Sequence, residues 1–244
     1  MLDKIQFTAL FERIFKVNGL EDYNNDRNIE LFYRLTERML EVNAVMNLTA
    51  LDTPEKIIPL HYADCALAVD RFPKGVTVAD VGCGGGFPTL PLAILRPDLQ
   101  ITGIDSTGKK VQYVADTAKL LGLDNVKTMT ARAEELGCDP AWRETFDVVT
   151  SRAVARMNLL DELCMPLCRV GGKLIFLKGA AGQAEVAEAA VGIARLGGGV
   201  SACEDMTLYT TEETEARTLV TIEKTAETPR EFPRSFGQIK KRPL

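Results

Sequence analysis

A chain of 244 residues, 46% of them hydrophobic, can bury a substantial core, which excludes global disorder. The formal net charge of −5 argues against broad, non-specific polyanion binding, and no apolar run reaches the ~18 residues a membrane span needs. The length suits one large α/β domain with an accessory segment.

Residues 3–17 set Asp3, Lys4, Glu12 and Arg13 around spaced apolar positions, an amphipathic helix lacking the continuous apolar stretch of a signal peptide. A cytoplasmic address is the simplest expectation. In 27–46, Ile29, Phe32, Leu35, Met39 and Val42 recur at helical spacing. NLTAL (47–51) is a loop, and Thr53-Pro54-Glu55 suits a helix start with Thr53 as cap. Pro59 is expected to kink or restart that helix.

From residue 77 strands and helices alternate. Strands are expected at 76–82, 100–105, 126–129, 146–150, 172–178, 201–209 and 217–223. Helices are expected from Pro88 to Arg96, over 108–121 with Gly122 as its stop, and near 157–168 and 183–195. Such alternation predicts a parallel sheet covered on both faces. The last two strands, joined by the acidic turn 211–216, read as an antiparallel hairpin, so one strand is reversed. The chain divides into a helical segment (1–70) packed on a core (71–224) and a tail (225–244), all in one compact unit. The tail carries a net charge of +3 against −8 for the rest, so an acidic total does not exclude RNA.

The strongest chemical signal is Asp80-Val-Gly82-Cys-Gly84-Gly-Gly86-Phe87 at the end of the first parallel strand. Glycines let the backbone turn sharply and approach a flat ligand, and the helix that follows offers free N–H groups. Asp105, ending the second strand, can accept bonds from both hydroxyls of a ribose. Together they predict an adenine-nucleoside site. A dinucleotide loop, GxGxxG, requires a small residue where Phe87 stands. DxGxGxG instead fits S-adenosylmethionine, with a nicotinamide cofactor or a purely structural loop as alternatives. GIDSTGKK (103–110) is one residue short of a phosphate loop, and Lys110 occupies the place of the magnesium-binding hydroxyl; it is a chance match.

The six cysteines (65, 83, 138, 164, 168, 203) form no CxxC pair and read as reduced core thiols, with no metal site. The single histidine, His61, lies outside the methyltransferase core in sequence. After the fourth strand stands Ser151-Arg152-Ala153, with neither the [DN]PP[YF] motif of amino methylation nor a Pro-Cys nucleophile. No acid–base pair is evident, so catalysis is expected to rest on positioning alone.

Four stretches resemble the bacterial ribosomal RNA small-subunit methyltransferase G family. They are the stretch from Asn43 through Asn47-Leu48-Thr49 to His61-x-x-Asp64; DVGCGGGFPTLPLAILRPD (80–98); Asp105-Ser106 with Lys109-Lys110, Arg132-Ala133-Glu134-Glu135 and Ser151-Arg152-Ala153; and FPRSFGQIKKRPL (232–244). Cys65, Thr89, Ile239 and Pro59 depart from the family's usual residues. The resemblance implies an α/β, class I S-adenosylmethionine-dependent methyltransferase fold, Rossmann-like, with a mostly parallel seven-stranded sheet, helices on both faces and an N-terminal helical extension. It implies methyl transfer to N7 of the guanine at position 527 of 16S rRNA, with 16S rRNA or the small ribosomal subunit as partner. It also implies cofactor contacts at Gly82, Phe87, Ala133, Glu134 and Arg152, beside Gly84 and Asp105 of the loop reading. The chain is expected to act as a monomer, without metal or membrane.

Candidate RNA contacts are Asn47, His61, Arg132, Arg234, Lys240, Lys241 and Arg242. Each of the first three has a plainer alternative: Asn47 fixing its loop, His61 holding the N-terminal segment to the core, Arg132 in a surface ion pair. If His61 touches the substrate, Asp64 one turn along is expected to orient it. A methyltransferase acting on a protein or small molecule, and a non-catalytic ribosome-assembly factor, are the rival functions.

Overall fold

The computed structural model describes residues 3–244. Helix α1 (Lys4–Val17) opens on Asp3, whose carboxylate accepts from the Gln6 N–H at 2.8 Å while the Gln6 side chain returns to the Asp3 N–H. Helix α2 (Asp26–Met46) buries Ile29, Phe32, Leu35, Met39 and Val42, the stripe expected from its spacing. It ends on Asn47 in the left-handed region (φ 48°), a conformation that asparagine tolerates at a helix end. Thr53 takes the extended conformation of a cap before α3 (Pro54–Ile57), but its hydroxyl makes no capping bond. At Pro59 the helix does not stop. It widens into a π turn (Ile58–Ala63) and resumes as α4 (Asp64–Ala66).

Seven strands follow: β1 (Thr77–Val81), β2 (Gln100–Asp105), β3 (Val126–Thr130), β4 (Phe146–Arg152), β5 (Cys168–Gly179), β6 (Gly198–Tyr209) and β7 (Thr214–Lys224). They form one sheet in the order β3-β2-β1-β4-β5-β7-β6, parallel except for β7, which runs antiparallel to both its neighbours. The connecting helices are α5 (Thr89–Leu95), α6 (Gly108–Leu121), α7 (Ala133–Cys138), α8 (Met157–Cys164) and α9 (Gly182–Arg195). Gly122 caps α6 at φ 68°, as its place after the apolar stripe predicts. Helix α7 and a terminal helix, α10 (Phe236–Lys241), are too short for their periodicity to reveal them.

Alternation along the strands feeds two cores. Val78, Val148 and Ile175 join α1, α2, α5 and α6 on one face; Ala79, Val149 and Phe176 join α7, α8 and α9 on the other. The first core carries a chain of aromatic contacts, Phe11–Phe32 (5.2 Å), Phe32–Tyr62 (4.6 Å) and Tyr62–Phe87 (6.3 Å). The N-terminal helices thereby buttress the end of the glycine loop.

The tail is tied down by buried polar contacts. The Arg143 guanidinium donates to the carbonyls of Gly137 (2.7 Å), Phe232 (2.8 Å) and Thr228 (2.5 Å). Lys224, 1% exposed, pairs with Glu144 and donates to Thr228. Arg234 grips fully buried Glu162 through Nε (2.9 Å) and Nη2 (2.5 Å), while its backbone N–H reaches the same carboxylate at 2.8 Å. The sequence sets Arg234 among the free cations of the tail; the structure instead pairs its partly exposed guanidinium with Glu162. Arg234→Ala leaves the Glu162 charge buried and unmatched, and is expected to lower unfolding stability by about 3 kcal/mol. Urea denaturation checks this, and a loss below ~1 kcal/mol contradicts the anchoring role.

Candidate active site

A cavity of about 550 Å³ opens at the carboxyl ends of β1, β2 and β4, within the size range of small-molecule sites. The loop after β1 forms its floor. Gly82, Gly84 and Gly86 all have positive φ (76°, 52° and 91°). A Cβ on Gly82 would collide with the Val154 side chain, and one on Gly86 would stand 2.6 Å from Leu90 Cδ1. Glycine is thus required by conformation and by contact. Asp80, at the end of β1, is fully buried and accepts from the Thr89 N–H (3.1 Å) and hydroxyl (2.6 Å), fastening β1 to α5. Burial pushes its carboxyl up to about 6, with the Thr89 bonds pulling the other way.

Asp105 stands at the rim. One oxygen accepts from the Gly84 N–H (3.0 Å) and the other from the Thr107 N–H (2.8 Å). Each keeps a free lone pair, so the carboxylate joins the glycine loop to β2 and can still take two hydroxyl donors. Beyond it, Ala131, Ala133 and Glu134 line the cavity after β3. Arg132 precedes α7, is largely exposed, and approaches Glu134 at 3.7 Å. The ion pair read as its plainer alternative is present, and Arg132 lines the cavity as well.

The far wall joins groups distant in sequence. His61, 8% exposed, stacks on Phe87 with ring centres 4.1 Å apart and planes at 19°. Arg152 Nη2 donates to His61 Nδ1 at 2.9 Å, which assigns the ring proton to Nε2 and makes Thr49 Oγ1 (2.9 Å) its acceptor. Asn43 clamps both the N–H and C=O of Thr49 at 2.9 Å. Asp64 does not orient His61, contrary to expectation. Its carboxylate, 4% exposed, accepts instead from Arg152 (2.9 Å) and from Arg217 on β7 (2.7 Å). The Leu60 C=O, within the π turn, also accepts from Arg152 at 3.0 Å. Asn47 is exposed and does not line the cavity; Asn43 fixes the loop in its stead.

Burial, and secondarily the Arg152 charge, hold His61 down to about 3 against its ordinary 6.5. The unfolded chain binds a proton below 6.5 while the folded chain resists until about 3, so this histidine withdraws stability as pH falls through that window. His61→Gln is expected to change the gap to wild type by about 2 kcal/mol in the variant's favour between pH 7 and pH 5. Denaturant melts at the two pH values check this, and an unchanged gap refutes it.

The residues expected to hold a cofactor, Gly82, Gly84, Phe87, Asp105, Ala133, Glu134 and Arg152, all line this one cavity. Of the RNA candidates, His61 and Arg132 join them, while Lys240, Lys241 and Arg242 are exposed on and beyond α10. Arg217 and Phe236 of α10, which also lines the cavity, were not singled out by the sequence, and Asn43 entered only as the start of a motif. Among the described residues no group of three or more His, Cys, Asp or Glu side chains is arranged to hold a metal, and no helix is long and apolar enough to cross a membrane.

A family model described as GidB, rRNA small subunit methyltransferase G, matches residues 28–207. Proteins named ribosomal RNA small subunit methyltransferase G are similar over most of the chain. That of Roseiflexus castenholzii is 42% identical over 223 residues, covering 90% of this chain and 93% of the relative. That of Clostridium perfringens is 37% identical over 242 residues, covering 98% and 100%. Among solved structures, a putative RNA methyltransferase from Pyrococcus horikoshii superposes with a TM-score of 0.52 at 13% identity, covering 73% of this chain and 89% of that one. The YcgJ protein of Bacillus subtilis gives 0.52 at 13% identity, covering 68% and 100%. These structural likenesses bear on the fold alone.

Proposed function

The chain belongs to the rRNA small subunit methyltransferase G family, and from that premise we propose that it transfers a methyl group from S-adenosylmethionine to N7 of the guanine at position 527 of 16S rRNA. The observation that carries the reading is the cavity at the ends of β1, β2 and β4, where the glycine loop and Asp105 meet Ala133 and Glu134. Its donor set suits the cofactor: the Asp105 oxygens match a ribose diol, the glycine loop holds three positive-φ positions of which Gly82 and Gly86 have no room for a Cβ, and apolar Ala133 beside Glu134 suits an adenine face and edge. Bound there, the cofactor supplies a methyl group already activated on a sulfonium sulfur.

Guanine N7 has a lone pair and no proton, so no base is required. The site agrees with this economy. His61, its single histidine, has Nδ1 occupied by Arg152, its Nε2 proton engaged by Thr49, and a neutral ring near pH 7. Its work, with Phe87 and Arg152, is to give the cavity a rigid wall against which two reactants align. The relatives' names favour rRNA over a protein or small-molecule acceptor. The cytoplasm, a monomeric state and the small ribosomal subunit as docking partner complete the proposal.

Incubating the enzyme with cofactor and small subunits lacking the modification is expected to create a single site of strand scission after borohydride–aniline treatment, which cleaves at 7-methylguanine. Methylated RNA that resists this cleavage places the methyl on another atom and refutes the N7 assignment.

A further inference from the structure

Phe236 departs from the logic of the surrounding tail. Of the large apolar side chains exposed among the described residues, only Val154 and Phe236 line the cavity. Val154 belongs to the loop after β4; Phe236 comes from α10, at the far end of the chain. Its ring, 38% exposed, is held at the cavity's edge from both sides. Two residues earlier Arg234 is locked to buried Glu162, and three residues later Ile239, on the same helical face, is fully buried. The Gln238 side chain accepts from the Ser235 N–H (3.2 Å) and hydroxyl (2.9 Å), fixing the entry to α10.

Its neighbours show which end of the cavity the ring serves. The tail crosses α7 at Gly137, where a Cβ would meet Pro233 at 2.9 Å, and meets α8 through Glu162. Those two helices supply Ala133, Glu134 and Leu163 to the cavity, whereas the His61–Phe87–Arg152 wall is built from the π turn, the glycine loop and β4. Phe236 thus belongs to the Ala133–Glu134–Leu163 side.

We propose that Phe236 is a cofactor-binding residue whose ring packs on the adenine of the bound nucleoside, making the C-terminal helix one wall of the cofactor site. This rests on the cofactor reading given above. An aromatic face on a nucleobase is favourable through dispersion and quadrupole alignment, and a partly exposed ring loses further apolar surface when covered.

Calorimetry with S-adenosylhomocysteine and with adenosine alone tests the proposal. Phe236→Ala is expected to weaken both by the same factor, on the order of tenfold, and Phe236→Tyr to restore both. Phe236→Leu, which keeps bulk without a π face, should fall between. A stabilising role alone would lower the melting temperature without separating Tyr from Leu. Wild-type affinity for both ligands in a folded Phe236→Ala protein overturns the proposal, including where RNA affinity falls instead, since the ring then serves the RNA. The cofactor reading fails separately, if the wild-type chain binds neither ligand.

Discussion

Asp105→Ala weakens binding of S-adenosylmethionine and its demethylated product by roughly ten- to a hundredfold, equivalent to about 1.5–3 kcal/mol. The expected loss has two sources. The carboxylate can accept two charge-assisted bonds from a ribose diol, and it already holds the Gly84 and Thr107 N–H groups at 3.0 and 2.8 Å. Removing it strips the ligand of partners and frees the loop beneath the ligand. Asp105→Asn separates the two, because the amide keeps a single acceptor oxygen and puts a donor in place of the other. It should retain part of the loop order and lose most of the diol contact. Isothermal calorimetry on the folded variants reads the effect directly. Wild-type affinity in Asp105→Ala removes the residue from the cofactor site.

Why Asp105 was legible in the sequence and Arg217 was not has a physical answer. Asp105 ends a strand whose β-branched run and position after a glycine loop determine where its side chain emerges. The same local logic revealed α6 with its Gly122 cap and the reversed hairpin of β6 and β7. Arg217 reaches Asp64 across 153 positions, and Arg143 clamps carbonyls 85 and 89 positions away. Neither contact leaves a local periodicity. His61 was read as lying outside the core because its segment precedes β1 in sequence. The π turn at Pro59 carries it onto Phe87, and nothing in the residue pattern distinguishes a widened turn from a kinked helix. The paired Arg234 is the same lesson in charge. A basic side chain in a basic tail reads as free until its buried partner, Glu162 on α8, is known.

That pairing sharpens the expected behaviour of the remaining tail charges. Lys240, Lys241 and Arg242 are exposed and form no salt bridge among the described residues, while Ile239 anchors the helix that presents them. An anchored cation loses less freedom on meeting a phosphate than one on a loose terminus. Each phosphate neutralised should add about 0.7–0.9 to the slope of log affinity against log salt. Replacing all three with Ala is expected to lower that slope by roughly 2–3, which at 0.1 M salt corresponds to an affinity loss on the order of a hundredfold. Cofactor affinity should be unchanged, because none of the three lines the cavity, in contrast to Phe236 on the same helix. Both affinities measured across a potassium chloride series therefore distinguish the two functions of α10. A triple variant with wild-type RNA affinity and slope would make the tail purely structural, leaving RNA capture to Arg132 at the cavity mouth and the surface around it.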